Sequence, residues 1–182
     1  MRPLLNINYD EFIAAEQIAK KLKNNYAISF PASAQQKGFD FIITNIKNNK
    51  SLKVQVKASR SYQFKLTEMK SKKRLGNYTS FFTKFPYKKK LADLYIFVIH
   101  YPIINKKKRI WSTLCLAFFD KDVNEFLKGL VKKRGGPERF FYIEFDTNNT
   151  EIIYLTRGSL KPQPLKEHLL PKQIFDIIRK LT

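Results

Sequence analysis

The sequence predicts an α/β protein, a mixed β-sheet flanked by helices, and three observations carry that expectation. Segments near residue 15 and residue 125 repeat their apolar residues at three- and four-residue spacing. Between and after them lie short runs rich in Val, Ile, Phe and Tyr, separated by turn residues. The resulting order, helix, strands, helix, strands and a last helix, suits one sheet covered by helices. With 182 residues, one domain spanning 1–182 is expected, large enough to bury roughly 70% of its unfolded surface. An apolar content of 43% excludes the composition of a disordered chain.

Over residues 9–24, Phe12, Ala15, Ile18, Ala19 and Leu22 recur at helical spacing and are the expected buried stripe. Lys20, Lys21 and Lys23 near its end suit the negative end of the helix dipole. Residues 27–30 read as a brief strand stopped by Pro31. Gly38-Phe39-Asp40 then introduces a β-rich run over 41–44, a turn of Asn, Lys and Ser, and a second run over 52–58, together a hairpin. In its second strand Leu52, Val54, Val56 and Ala58 point one way, and Lys53, Gln55, Lys57 and Ser59 the other.

Residues 60–90 hold ten Lys or Arg, one acidic residue, Glu68, and seven Phe or Tyr. That mixture predicts an insertion of long loops or short helices. Residues 91–101 and 110–119 are expected core strands about the basic turn 105–109. Asp120 is suited to cap a helix reaching about 132, with Val123, Phe126, Leu127 and Leu130 inward. Gly135-Gly136-Pro137 ends it, 139–145 and 151–156 alternate as a second hairpin, and a proline-marked stretch leads to a last helix over 171–181.

Thirty-five Lys and Arg against fifteen Asp and Glu give a net charge of +20. Such an excess strains the compact state by self-repulsion, and a polyanion relieves it. DNA is the expected partner, because each phosphate neutralised releases counterions. No run approaches the roughly eighteen apolar residues of a membrane span, and no long helix with a Lys/Arg face points to a lipid surface. With no signal-peptide pattern at the start, a cytoplasmic protein is expected. Cys115, the single cysteine, excludes an internal disulfide or multi-cysteine zinc site and reads as an inert core residue. His100 and His168 lack zinc spacing and read as structural or surface residues.

Phosphodiester hydrolysis needs a placed water, neutralisation of phosphoryl charge, and help for the leaving oxygen. Mg²⁺, with Mn²⁺ as a substitute, meets most of this through oxygen ligands. Asp40 offers a carboxylate at the head of the hairpin, Gln55 an amide oxygen across from it, and Val56 a backbone carbonyl. Lys57, on the face of Gln55, brings an ammonium. Glu16, on the preceding helix, is the fourth candidate. Read as ordinary structure, Asp40, Gln55 and Lys57 are the solvated face of a hairpin, Glu16 is a surface charge, and Asp93 merely opens its strand. For DNA contact the candidates are Ser59, Lys70, Lys72, Lys73 and Arg74, while Tyr62, Phe64, Tyr78, Phe81 and Phe82 either stack on bases or pack the segment down.

Ala14-Ala15-Glu16 with Leu22, Gly38-Phe39-Asp40, and Val54-Gln55-Val56-Lys57-Ala58-Ser59 together resemble the core motif of the PD-(D/E)XK nucleases, in the variant where Gln replaces the second acidic residue. This variant is similar to that of type IV, modification-dependent restriction nucleases and some homing endonucleases. The resemblance covers about residues 10–100. It implies a restriction-endonuclease-like αβββαβ core, with Asp40 and Gln55 at the metal, Lys57 as catalytic lysine, Glu16 as helix carboxylate, and 91–98 as the later core strand. The expected activity is Mg²⁺-dependent endonucleolytic cleavage of DNA, of restriction or homing type, by a homodimer or higher homo-oligomer, because one site per chain cuts one strand. Gln55 leaves the metal site one negative charge short. Two other readings stand beside it: a non-catalytic nucleic-acid-binding module with a nuclease-like fold, and a structure-selective junction nuclease.

Overall fold

The computed structural model describes residues 8–22, 24–32, 38–65, 67–68, 74–85, 90–105, 108–128, 139–149, 151–157 and 160–182. Helix α1, Tyr9–Ala19, starts where the Glu11 carboxylate accepts hydrogen bonds from the Asn8 N–H at 3.4 Å and the Asn8 amide at 2.7 Å. Its buried face is Ala14, Ala15 and Ile18, whereas Phe12 and Ala19 are exposed. The expected stripe is therefore rotated. Two adjacent alanines let the helix sit close to the sheet, and that approach outweighs turning the larger Phe12 inward.

Strands β1 (Tyr26–Ser29), β2 (Phe41–Asn45) and β3 (Ser51–Gln63) form an antiparallel meander. β3 then runs parallel to β5, Leu94–Asn105, from Val54↔Leu94 to Arg60↔His100. β5 pairs antiparallel with β6, Lys108–Phe119, along its whole length. The last residues of β3 pair with β4, Tyr78–Phe85, and the sheet continues through β7 (Arg139–Phe145), β8 (Ile153–Arg157) and β9 (Leu160–Pro164), all antiparallel. Helix α2, Asp120–Lys128, follows β6. Helix α3, Leu170–Leu181, closes the described chain with Pro171 in its first turn, where a missing N–H costs nothing.

Two apolar clusters lie on opposite faces of β5 and β6, and β3 contributes to the first. On one face α1 and α3 cover Phe41, Ile43, Val54, Val56, Ile96 and Val98. On the other, Tyr78, Phe82, Phe141 and Ile143 of the continuing strands pack on Tyr95, Phe97, Ile99 and Phe118. The order is helices, sheet, sheet, and β3 is the strand that passes from one sheet region to the other. The fold is thus α+β and dominated by antiparallel pairing, with β3 and β5 the one parallel pair among the described strands.

Two expectations change accordingly. The described residues of 60–90 are chiefly strand rather than loops and short helices: β3 extends to Gln63 and β4 occupies Tyr78–Phe85. Tyr78 and Phe82 are buried while Phe81 faces out, a period of two that the surrounding lysines disguise. In the crossover from β3 to β5, the described residues include a strand, and only Thr67 and Glu68 are helical there. The helix of an αβββαβ order is therefore not found at that place among the described residues.

Phe97 is 0% exposed and meets the rings of Phe82, Phe118 and Phe141 at centroid distances of 5.1, 5.5 and 5.4 Å. Phe97→Ala is expected to cost about 3–5 kcal/mol in urea denaturation; a loss below about 1 kcal/mol contradicts the packing of the two sheet regions on each other.

Candidate active site

Pairing of β2 with β3 ends at Phe41↔Val54, so continuation of that register sets Asp40 opposite Gln55. The Asp40 N–H still donates to the Val54 carbonyl at 2.7 Å. The next outward N–H of β3, that of Val56, donates instead to Asp40 Oδ2 at 2.5 Å. A side-chain carboxylate thus replaces a strand backbone and makes a notch in the sheet edge. The Val56 carbonyl faces the same edge as its N–H, by the geometry of an extended chain.

Two charged groups, Lys57 and Glu11, act on this carboxylate, and Gln55 stands opposite it in the continued register. Lys57 and Gln55 are half-buried on the face away from α1, and the Lys57 ammonium lowers the proton affinity of Asp40. Burial acts the other way and more strongly, so the Asp40 pKa lies above its ordinary value despite the Val56 N–H and Lys57. From the helix side comes Glu11, one turn before the buried Ala14 and Ala15 and on their face. Burial raises the Glu11 pKa, the Asn8 side chain lowers it, and the negative charge of Asp40 raises it again. Two carboxylates therefore share one partly desolvated field, with Lys57 the lysine ammonium acting on Asp40 among the described residues.

Oxygen donors from Asp40, Glu11, the Gln55 amide and the Val56 carbonyl suit a hard divalent cation that uses one or two carboxylates and keeps its waters. Among the described residues no group of three or more His, Cys, Asp or Glu side chains is placed to hold a metal. The notch has two acids, and the third position is the neutral Gln55. The donor set fits Mg²⁺ and does not fit a closed cage of protein ligands.

Glu16 is not part of this group. It is exposed and pairs with Lys20 at 2.9 Å. At about 100° per residue, it lies roughly 140° around the helix from Glu11, so burying Ala14 and Ala15 turns Glu16 outward. Of the residues read as DNA contacts, Arg74 belongs to the fold: Nη1 pairs with Glu144 Oε1 at 2.9 Å and the guanidinium lies 4.3 Å from the Phe64 ring centroid. Glu144 is 4% exposed and also accepts from the Leu75 N–H at 3.2 Å and Thr156 Oγ1 at 3.3 Å. The Ser59 hydroxyl donates to the Phe81 carbonyl at 2.6 Å and so fastens β3 to β4. Lys70, Lys72 and Lys73 lie outside the described residues.

Asp93 accepts the Lys53 N–H at 2.8 Å and opens β5, its ordinary reading. His168 stacks on Phe118 at 4.2 Å, and burial lowers its pKa. Burial pushes the Cys115 thiol up to about 12, which leaves it unreactive. No family model, curated protein or solved structure matches the chain.

Asp40 and Glu11 bind protons more tightly in the folded chain than their ordinary values allow. Their contribution to stability is whole below those ordinary values and is lost as pH rises through the raised folded ones. Asp40→Asn keeps an oxygen for the Val56 N–H but removes the desolvated charge. It is expected to raise the melting temperature near neutral pH, to give no gain below the ordinary aspartate value of 3.8, and to lower the Glu11 pKa followed by carboxyl NMR titration. A fall in melting temperature near neutral pH contradicts this account.

Proposed function

We propose that this chain is a Mg²⁺-dependent endodeoxyribonuclease of the PD-(D/E)XK type whose active site is the notch at Val56. The observation that carries the proposal is the Asp40 carboxylate on the N–H of Val56, with Glu11 and Lys57 acting on it. The order of α1, the meander β1 to β3 and then β5 supports it, since the motif resemblance implies a helix, three strands and a later core strand over 91–98. The net charge of +20 supports a polyanionic substrate.

Asp40 and Glu11 would hold the cation, with oxygens of Gln55 and the Val56 carbonyl as further donors. A bound divalent cation supplies Lewis-acid neutralisation of phosphoryl charge and lowers the pKa of coordinated water. Lys57 places its ammonium against the phosphoryl oxygens or the attacking water, where a point charge favours the more highly charged transition state. The half-buried setting strengthens each of these interactions relative to open water. Restriction or homing is the role this chemistry serves, and cutting both strands calls for a homodimer or higher assembly in the cytoplasm.

The test is cleavage of plasmid, methylated and unmethylated genomic DNA and branched DNA with and without Mg²⁺. Asp40→Ala, Lys57→Ala and Glu11→Gln are expected to lower the cleavage rate by on the order of 100- to 1,000-fold with circular dichroism unchanged, and Glu16→Gln to leave it unaltered. Activity that survives both Asp40→Ala and Lys57→Ala sinks the assignment. Wild type that binds all of these DNAs and cuts none supports the binding module instead.

A further inference from the structure

Beyond Lys57, β3 continues into the floor of a second cleft, of about 740 Å³, on the side of the sheet that carries α1. Arg60 lies four residues beyond Val56 on the same face of β3, about 13 Å at roughly 3.3 Å per residue, a few nucleotide steps from a phosphate held at the notch. We infer that this cleft receives an unstacked nucleobase of the DNA strand that the notch engages, between Tyr9 and Trp111, with its amino edge toward Asp10. The inference rests on the nuclease reading for the substrate's identity and deepens it by naming what the neighbouring surface reads.

The cleft walls are of two kinds. Tyr9 is 73% and Trp111 55% exposed, so both rings are open to a ligand. Both line the cleft. The Tyr9 ring lies near-parallel to His100 at 6.2 Å and 24°. Every base has a π-face, and stacking on such a ring is worth holding a base out of its helix.

The second wall is polar and fixed in advance. His100 Nε2 lies 2.6 Å from Asp10 Oδ1, and His100 Nδ1 lies 3.3 Å from Thr113 Oγ1. A carboxylate held in this way repels phosphate and accepts hydrogen bonds, so it suits the exocyclic amino group of a base. The exposed guanidinium of Arg60 serves the phosphate that the carboxylate rejects. The volume falls within the range of small-ligand clefts, where aromatic walls and a few fixed polar groups recur.

Trp111 is the single tryptophan, so its emission reports on this cleft alone. Wild-type protein in EDTA, where no cleavage occurs, is titrated with short single-stranded oligo(dC), oligo(dT) and a duplex while label anisotropy follows binding in parallel. Trp111 emission is expected to change in step with anisotropy for oligo(dC), with weaker binding of oligo(dT) and a smaller change for duplex. Tyr9→Ala is expected to weaken oligo(dC) binding by about five- to a hundredfold, Tyr9→Phe to retain it, and Asp10→Ala to remove the preference for dC over dT. Anisotropy that reports binding with Trp111 emission unchanged, or with Tyr9→Ala as tight as wild type, overturns the base cleft and leaves the nuclease reading intact. Absence of binding to any of the three DNAs overturns both.

Discussion

A strand of 13 residues that changes partner along its length must leave backbone groups to be satisfied where one partner stops, and β3 is such a strand. β2 leaves it at Val54, β4 joins it at Ser61, and β5 runs beside it between. The Val56 N–H falls in that gap, and a buried unpaired amide costs about 1–3 kcal/mol. Asp40 answers it with a carboxylate oxygen. The same hydrogen bond therefore completes the sheet and fixes a half-buried negative charge in its edge, and every other site group is placed relative to it.

The two acids of the fold's interior illustrate opposite solutions to burying a carboxylate. Glu144 is more deeply buried than Asp40, yet it accepts from Arg74, Leu75 and Thr156, so its charge is compensated within the fold. Asp40 has one backbone donor and the neighbouring Lys57, and it faces a second carboxylate, Glu11. Incompletely compensated charge lowers stability, and proteins retain it chiefly where it serves function. That contrast separates a structural ion pair from a candidate cation site without appeal to motif.

Much of this was legible in the sequence because strand alternation is strict. The period of two over 52–58 placed Gln55 and Lys57 together and away from Val54 and Val56, and the later strands and last helix followed from apolar runs and turn residues. In the first helix Ala15, Ile18 and Leu22 fit both phases, and the spacing alone does not choose between Phe12 with Ala19 and Ala14 as the rest of the buried face. The choice between them decides whether Glu16 or Glu11 faces the sheet, and only contact with the sheet makes it. The signal for Glu11 was present in its spacing to Ala14 and Ala15. Arg74 looked like one of four similar cations, because its partner Glu144 is far along the chain and its pairing depends on β4 meeting β7.

The proposed nuclease chemistry depends on a divalent cation bound at the notch through Asp40 and Glu11. Electron paramagnetic resonance of Mn²⁺ titrated into wild-type protein measures this directly, with Asp40→Asn, Glu11→Gln and Glu16→Gln alongside. The account predicts that wild type and Glu16→Gln reduce the free Mn²⁺ signal equally, and that Asp40→Asn and Glu11→Gln each lose most of that binding. Equal binding by wild type and Asp40→Asn would place the cation elsewhere and contradict the account.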